Sequence, residues 1–320
     1  MAWKSGRIYS QDKRQHYLRS EKTMNIDFQQ AKQQAISHVS TNREFWKDAA
    51  LMNQVLYLNA KVDIGANVVC ENCEIRITPR AYVDIWQSGS LNLKNCVIKG
   101  AEPGEAWRSK DKYGCLIQSS GVLKIENCRV ENLTIDSTEQ WAVNSTGRVK
   151  LEKVDFCDCV GNFFRSDINF LAAEVKTENF AGQFFSSPED PLKRLLGSRI
   201  EEEDDDDKIG DEIDDEDELD DAGEEDKERE CAAFAFCDFS FAPRKKHHFS
   251  VPPFIKVTDL NIILHCNFTA QGDSDQWDSC CLFLAISDTD SCEFNDCVKI
   301  LSKHSTFKNC SFENSTLCQD

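Results

Sequence analysis

The chain has 320 residues, 40% of them apolar, enough for one elongated domain or two ordinary ones with a real core. Its net charge of −19 belongs to one segment: residues 201–230 hold 21 Asp or Glu against three Lys or Arg, while the other 34 basic and 35 acidic residues nearly cancel. A nearly neutral remainder excludes a broad basic nucleic-acid surface, and no apolar run is long enough for a helical membrane span.

Residues 1–25 are polar and basic, with Lys4, Arg7, Lys13, Arg14, Arg19 and Lys22, and contain no apolar core of a signal peptide. A flexible amino terminus is expected there. Residues 26–55 read as helix, because Phe28, Ala31, Ala35 and Val39, then Phe45, Ala49, Met52 and Val55, recur at spacings of three to four. Ser40-Thr41-Asn42 offers an N-cap for the second helix. Strand patterning then occupies residues 56–197, broken by a long loop from Ala101 to Tyr113. Leu192 to Leu196 suggests one helical turn. Residues 198–231 are low-complexity acid, and like-charge repulsion with little to bury predicts disorder. Strand patterning resumes over 232–320, with a basic loop at Pro243 to His248.

Within the strand-rich parts one phrase recurs. It is Asn72-Cys73-Glu74-Ile75, Asn95-Cys96-Val97-Ile98, Asn127-Cys128-Arg129-Val130 and Asn309-Cys310-Ser311-Phe312, with variants around Cys237, Cys266 and Cys292. Apolar residues lie two apart on either side of the Cys, which is the strand period. The break at the Cys marks a bend where a small side chain fits. Val154 fills the same slot in Val149, Leu151, Val154, Phe156. Slots at 73, 96, 128, 154, 237, 266, 292 and 310 are spaced as the coils of a parallel solenoid with loops of variable length. Stacked coils then align Cys over Cys and Phe over Phe, with Asn72, Asn95, Asn127 and Asn309 as an amide ladder. An antiparallel sandwich also has short alternating strands; the fixed internal grammar favours the solenoid. The acidic segment then interrupts one solenoid, at a small loop-closure cost.

The phrase Gly-x-Leu-x-Leu-x-Asn-Cys-x-Ile, at Gly89 to Ile98 and Gly121 to Val130, resembles the right-handed parallel β-helix, or pectin-lyase-like, superfamily over about residues 56–197 and 232–320. The resemblance implies an all-β, right-handed parallel β-helix, for which residues 26–55 would be an N-terminal helical cap. The intracellular pattern is similar to the branch of the SHC SH2-domain-binding protein and Nessun dorma. That implies a non-enzymatic interaction scaffold in cytokinesis or signalling, with association with the cytoskeleton or midbody, and galactoside binding in the fly member.

The chemistry-bearing residues agree with a scaffold. Polygalacturonases of the superfamily carry Gly-His-Gly and Arg-Ile-Lys motifs, and neither occurs here. Paired aspartates lie only in the acidic tract, where no rigid acid–base geometry is available. Asp155, Asp158 and Asp167 read as solvated turn residues. Cys70-x-x-Cys73 has zinc-knuckle spacing, but both are accounted for as apolar slots. No catalytic, cofactor or metal site is expected. Sixteen Cys and five Asn-x-Ser/Thr triplets raise the alternative of a disulfide-bonded secreted chain. The repeating apolar setting of the Cys and the absence of a signal favour buried free thiols in a reducing cytoplasm. Expected contacts with a basic protein partner are Glu201, Asp204, Asp205, Asp206, Asp207, Asp214 and Asp215, with Arg244, Lys245 and Lys246 beside them, either as a further contact or as the tract's own counter-charge. Trp86, Trp107, Trp141 and Trp277 are candidates for stacking on sugar rings, the mark of a carbohydrate-binding module or a lyase or hydrolase on the same fold.

Overall fold

Each strand pairs in parallel with a strand one turn of chain away. The computed structural model describes residues 43–100, 106–107, 114–137, 139–166, 169–187, 232–243, 251–271 and 280–319. The expected flexible terminus, the tract 198–231, the turn at Leu192 and the basic loop from Arg244 lie outside them. Among the described residues all secondary structure is β, and most pairings follow three ladders, with a short extra one joining Ala106–Trp107, Thr134–Ile135 and Val160. The first runs from Arg43–Phe45 through Lys61–Ile64, Tyr82–Ile85, Cys115–Ser119 and Trp141–Ser145 to Leu317–Gln319. The second begins Ala49–Met52, Asn67–Glu71, Ser90–Lys94, and the third Val55–Leu58, Glu74–Ile77, Val97–Gly100. The chain visits the ladders in that order and repeats, a β-helix-like coil.

The bend between the second and third ladders is one residue in the left-handed conformation. Asn53, Asn72, Asn95, Asn127, Lys153, Glu174, Phe236, His265, Ser291 and Asn309 occupy it, all with φ between 50° and 56°. Among residues with a side chain, Asn is one of those that tolerate this region best, which explains the recurring Asn before the Cys. The bend swings the next residue inward, so Cys70 and Cys73 are both buried although three apart. Each slot thiol then donates to the carbonyl two residues before it: Cys73 to Glu71 at 3.4 Å, Cys96 to Lys94 at 3.1 Å, Cys128 to Glu126 at 3.2 Å and Cys266 to Leu264 at 3.3 Å. That carbonyl also accepts the N–H of the preceding coil's bend residue, as in Asn72 to Lys94 at 3.0 Å. A weak S–H donor fits here because it fills a small apolar niche and still offers a proton to a lone pair. The amide ladder is only partly formed. Asn72 donates to the Asn53 side chain at 3.3 Å, but Asn309 donates to the Asp290 carboxylate at 3.0 Å.

Like residues sit above like along the core. Leu91, Leu123 and Val149 are in register, as are Ile98, Val130 and Phe156. Phe239, Phe268, Phe294 and Phe312 form a column with ring centroids 5.3, 5.2 and 5.0 Å apart. Phe163, Phe180, Phe184 and Phe254 interlock mostly edge to face beside it. The register also reveals a coil that the Cys grammar skips, with Glu174 at the bend and fully buried Val175 in the slot. All fifteen described cysteines are free thiols, thirteen of them buried.

The expected helix is corrected over residues 43–55, which form strands of all three ladders; residues 26–42 lie outside the described part. Ala49 and Leu51 pair with Val68 and Cys70, and Val55 with Glu74. The helical spacing of Phe45, Ala49, Met52 and Val55 is real in sequence, but Met52 points to solvent at 48% exposure. Stacking on the next coil's apolar face outweighs local helix propensity.

Where the first ladder turns into the second, Gly89, Gly121 and Gly147 bring backbones together. A Cβ on Gly121 would lie 2.2 Å from the Gly89 carbonyl oxygen, and one on Gly147 would lie 2.0 Å from that of Gly121. Gly121→Ala should therefore destabilise the fold by about 2–4 kcal/mol, whereas Gly114→Ala should stay within about 0.5 kcal/mol. The control is apt because a Gly114 Cβ meets nothing nearer than 3.9 Å. Equal unfolding midpoints for the two variants would refute close stacking at this corner.

Candidate functional site

The polar positions of the first ladder form a column, on its outer side except at Ser186, which is buried. Asp63, Asp84, Gln118, Asn144, Arg165, Ser186 and Lys256 are successive register partners, one per coil. Each follows an inward apolar residue: Val62, Val83, Ile117, Val143, Phe164, Phe185, Ile255. Strand alternation fixes the direction, and coil stacking fixes the spacing at about 4.8 Å. Charge changes sign along the column, from aspartates at the amino-terminal end to Arg165 and Lys256.

At the acidic end Lys61 Nζ lies 2.8 Å from Asp63 and 3.9 Å from Asp84. Burial pushes the Asp84 carboxyl above the usual carboxylate range; Lys61 opposes this and Asp63 adds to it. Trp86 Nε1 donates to Asp63 at 3.4 Å, and its ring tilts against Trp46 with centroids 5.6 Å apart. Both indoles stand open to solvent, at 47% and 54% exposure. Further along, Asn144 Nδ2 donates to Gln118 Oε1 at 3.0 Å, and the Cys115 thiol to the same oxygen at 3.4 Å. This end of the face thus offers hydrogen-bonding groups beside an aromatic platform. Such a surface suits a ligand with both polar and flat apolar parts.

The other outer faces carry charges that satisfy one another. Buried Glu74 accepts from Arg76 and lies 3.3 Å from Lys99, which in turn is 3.9 Å from Glu131; Arg129 is 3.2 Å from Glu131. Arg76 also donates to the Tyr57 hydroxyl at 3.0 Å. On the second ladder Lys124 pairs with Glu126, and Lys150 with Glu152 at 2.7 Å.

The sequence-predicted residues fare unevenly. Trp86 belongs to the platform. Trp107 does not, because it is 3% exposed and its Nε1 donates to the Ala81 carbonyl at 2.8 Å; its hydrophobic payload is structural. Trp141 is half-buried in the first ladder, in register with Cys115. Trp277 lies outside the described residues. So do Glu201, Asp204, Asp205, Asp206, Asp207, Asp214, Asp215, Arg244, Lys245 and Lys246. Asp155 and Asp158 are exposed, and Asp158 accepts from Asn179 at 3.0 Å; Asp167 is not described. Sequence reasoning missed Trp46, Lys61, Asp63, Asp84, Gln118, Asn144 and Arg165. Their signal was available as a polar residue flanked by inward ones at one phase of each coil.

Among the described residues no group of three or more His, Cys, Asp or Glu is placed to hold a metal ion, and no helix is long and apolar enough to cross a membrane. Burial pushes the Cys70 and Cys159 thiols up to about 12, and the hydrogen bond to Cys128 is the largest cause holding Cys96 at about 11. Thiols so protonated are poor nucleophiles and poor metal ligands. Comparisons with family models, with curated proteins and with solved structures found no match to this chain.

The raised Asp84 carboxyl gives a signed test. A carboxyl whose folded pKa exceeds its unfolded value of about 3.9 favours the fold while protonated, and loses that advantage as pH rises through the folded pKa. The stability of Asp84→Asn relative to the parent should therefore improve between about pH 3 and pH 7. Chemical denaturation of both proteins at the two pH values checks this. A parent that gains stability on the Asp84→Asn variant over that range would contradict it.

Proposed function

We propose that this chain is a non-enzymatic interaction scaffold, a right-handed β-helix of the pectin-lyase-like kind working in a reducing cytoplasm. The observation that supports it best is the bridging of neighbouring carboxylates. Asp63 and Asp84 share Lys61, and Glu74 and Glu131 share Lys99. Carboxylates bridged by a lysine are engaged as ion pairs within the wall, the arrangement of a self-satisfied structural surface. The hand follows from the strong preference of parallel crossovers for right-handed connections. Free, mostly buried thiols fit a reducing compartment. On this reading the acidic tract 198–231 is an electrostatic arm for a partner with a basic surface, and the rigid coils set its position.

A second reading, glycan binding, is favoured by one observation: the exposed Trp46–Trp86 pair beside Asp63 and Asp84. A pyranose ring stacks on an indole while its hydroxyls bond to carboxylates, without turnover.

Two experiments separate the readings. Affinity capture with the full chain and with a chain lacking 198–230, at low and high salt, should show partners that vanish on deletion and weaken with salt. An unchanged partner set would overturn the electrostatic arm. A glycan screen should show binding that Trp86→Ala reduces at least about tenfold, the equivalent of 1.4 kcal/mol. No sugar bound at millimolar concentration ends the second reading and leaves the first standing.

A further inference from the structure

The core differs between its two halves. The inward column Val62, Val83, Ile117, Val143 of the first ladder continues as Phe164 and Phe185. The third ladder shows the same change, from Ile98 and Val130 to Phe156. Strand pairing continues one to one through this change, so the backbone keeps its spacing while the side chains filling it grow. Phenyl rings fill the later coils, with Phe163, Phe180, Phe184 and Phe254 in mutual contact. Branched aliphatic side chains leave the earlier coils underfilled, and a cavity of about 110 Å³ results.

The cavity follows the axis of the coils. Its lining starts at half-buried Phe45, Leu51 and Leu56 in the first turn and ends on Phe156, Phe163 and Phe164. Five coil spacings of about 4.8 Å separate those ends, roughly 24 Å. Apart from the Tyr57 hydroxyl and the Cys70 sulfur, the lining side chains are hydrocarbon. A water needs two to four polar partners, which such a lining does not supply; comparable dry cavities of about 150 Å³ take up benzene or xenon. A long, narrow, dry space matches a slim chain better than a ring.

We infer that the amino-terminal half of the core is a binding site for an unbranched hydrocarbon chain, entered from the first turn beside Phe45 and Leu56. This site is interior and independent of the outer faces, so its fate does not decide the scaffold or glycan readings.

The test uses the full chain, residues 1–320, titrated with 1-decanol by calorimetry at several temperatures. The expected result is saturable binding of one decanol per chain with a negative heat-capacity change, the mark of apolar burial. Val83→Phe fills the middle of the cavity and should weaken binding at least about tenfold. Leu56→Trp narrows the mouth at a half-buried position and should do the same, which keeps the test decisive if Val83→Phe does not fold. Leu93→Met conserves volume and should leave affinity within about threefold. No saturable binding overturns the inference, including the case in which the chain's own amino-terminal residues already fill the space. So does binding that neither Val83→Phe nor Leu56→Trp weakens.

Discussion

One left-handed residue at the corner between the second and third ladders governs this structure. It turns the chain sharply between the second and third ladders, and it presents a carbonyl that the coil before and the thiol after can both use. A bend that repeats in the same conformation forces successive coils to superpose, because a shift of one residue would send every inward side chain outward. Asn satisfies the backbone requirement at five of the ten bends. Lys153, Glu174, Phe236 and His265 adopt the same φ at a steric cost. The next coil holds the N–H groups of three of them, Glu174 to Ala235 at 2.9 Å, Phe236 to Leu264 at 2.9 Å and His265 to Asp290 at 3.0 Å. The fold therefore imposes the bend even where the side chain disfavours it.

Superposition separates the work of the two sides of each strand. Inside, stacked identical residues build a core without long-range specification: Cys96 near Cys128, Phe268 on Phe294. Contact between the Cys96 N–H and the Cys128 sulfur, at 3.3 Å, shows how closely one coil rests on another. Outside, the same stacking lines up whatever polar residue occupies a phase, and this made both the Lys–Glu networks and the column from Asp63 to Lys256. Stacking of this kind arranges outer side chains in columns, one residue per coil, apart from the core. The aromatic pair Trp46 and Trp86 exploits this, since Gly65 leaves the room that the Trp46 ring occupies: a Cβ there would lie 2.2 Å from it.

Much of the architecture was legible in the sequence because it repeats. Leu91, Leu93, Cys96, Ile98 and Leu123, Ile125, Cys128, Val130 align by eye and align in space. The coil at Glu174-Val175 was not legible, since neither Asn nor Cys marks its corner; only the backbone conformation does. The first turn carries a helical pattern in sequence because Phe45, Ala49, Met52 and Val55 fall at helical spacing, and no local signal says that another coil lies beneath them. The polar column escaped notice for a different reason. Asp63 and Asp84 are 21 residues apart, and their adjacency exists only once the register is known. Trp107 illustrates the converse error, an aromatic residue whose chemistry suggests a ligand and whose position makes it core.

The fold rests on coils whose interior is dry and whose thiols lie along it. The most direct measurement is a count of reactive thiols with an aromatic disulfide reagent, first on the native chain and then after unfolding without reductant. Thirteen cysteines should stay silent in the native protein, from Cys70 to Cys297, and all sixteen should react once it is unfolded. Rapid reaction of most thiols in the native chain, or fewer than sixteen after unfolding, would contradict this picture.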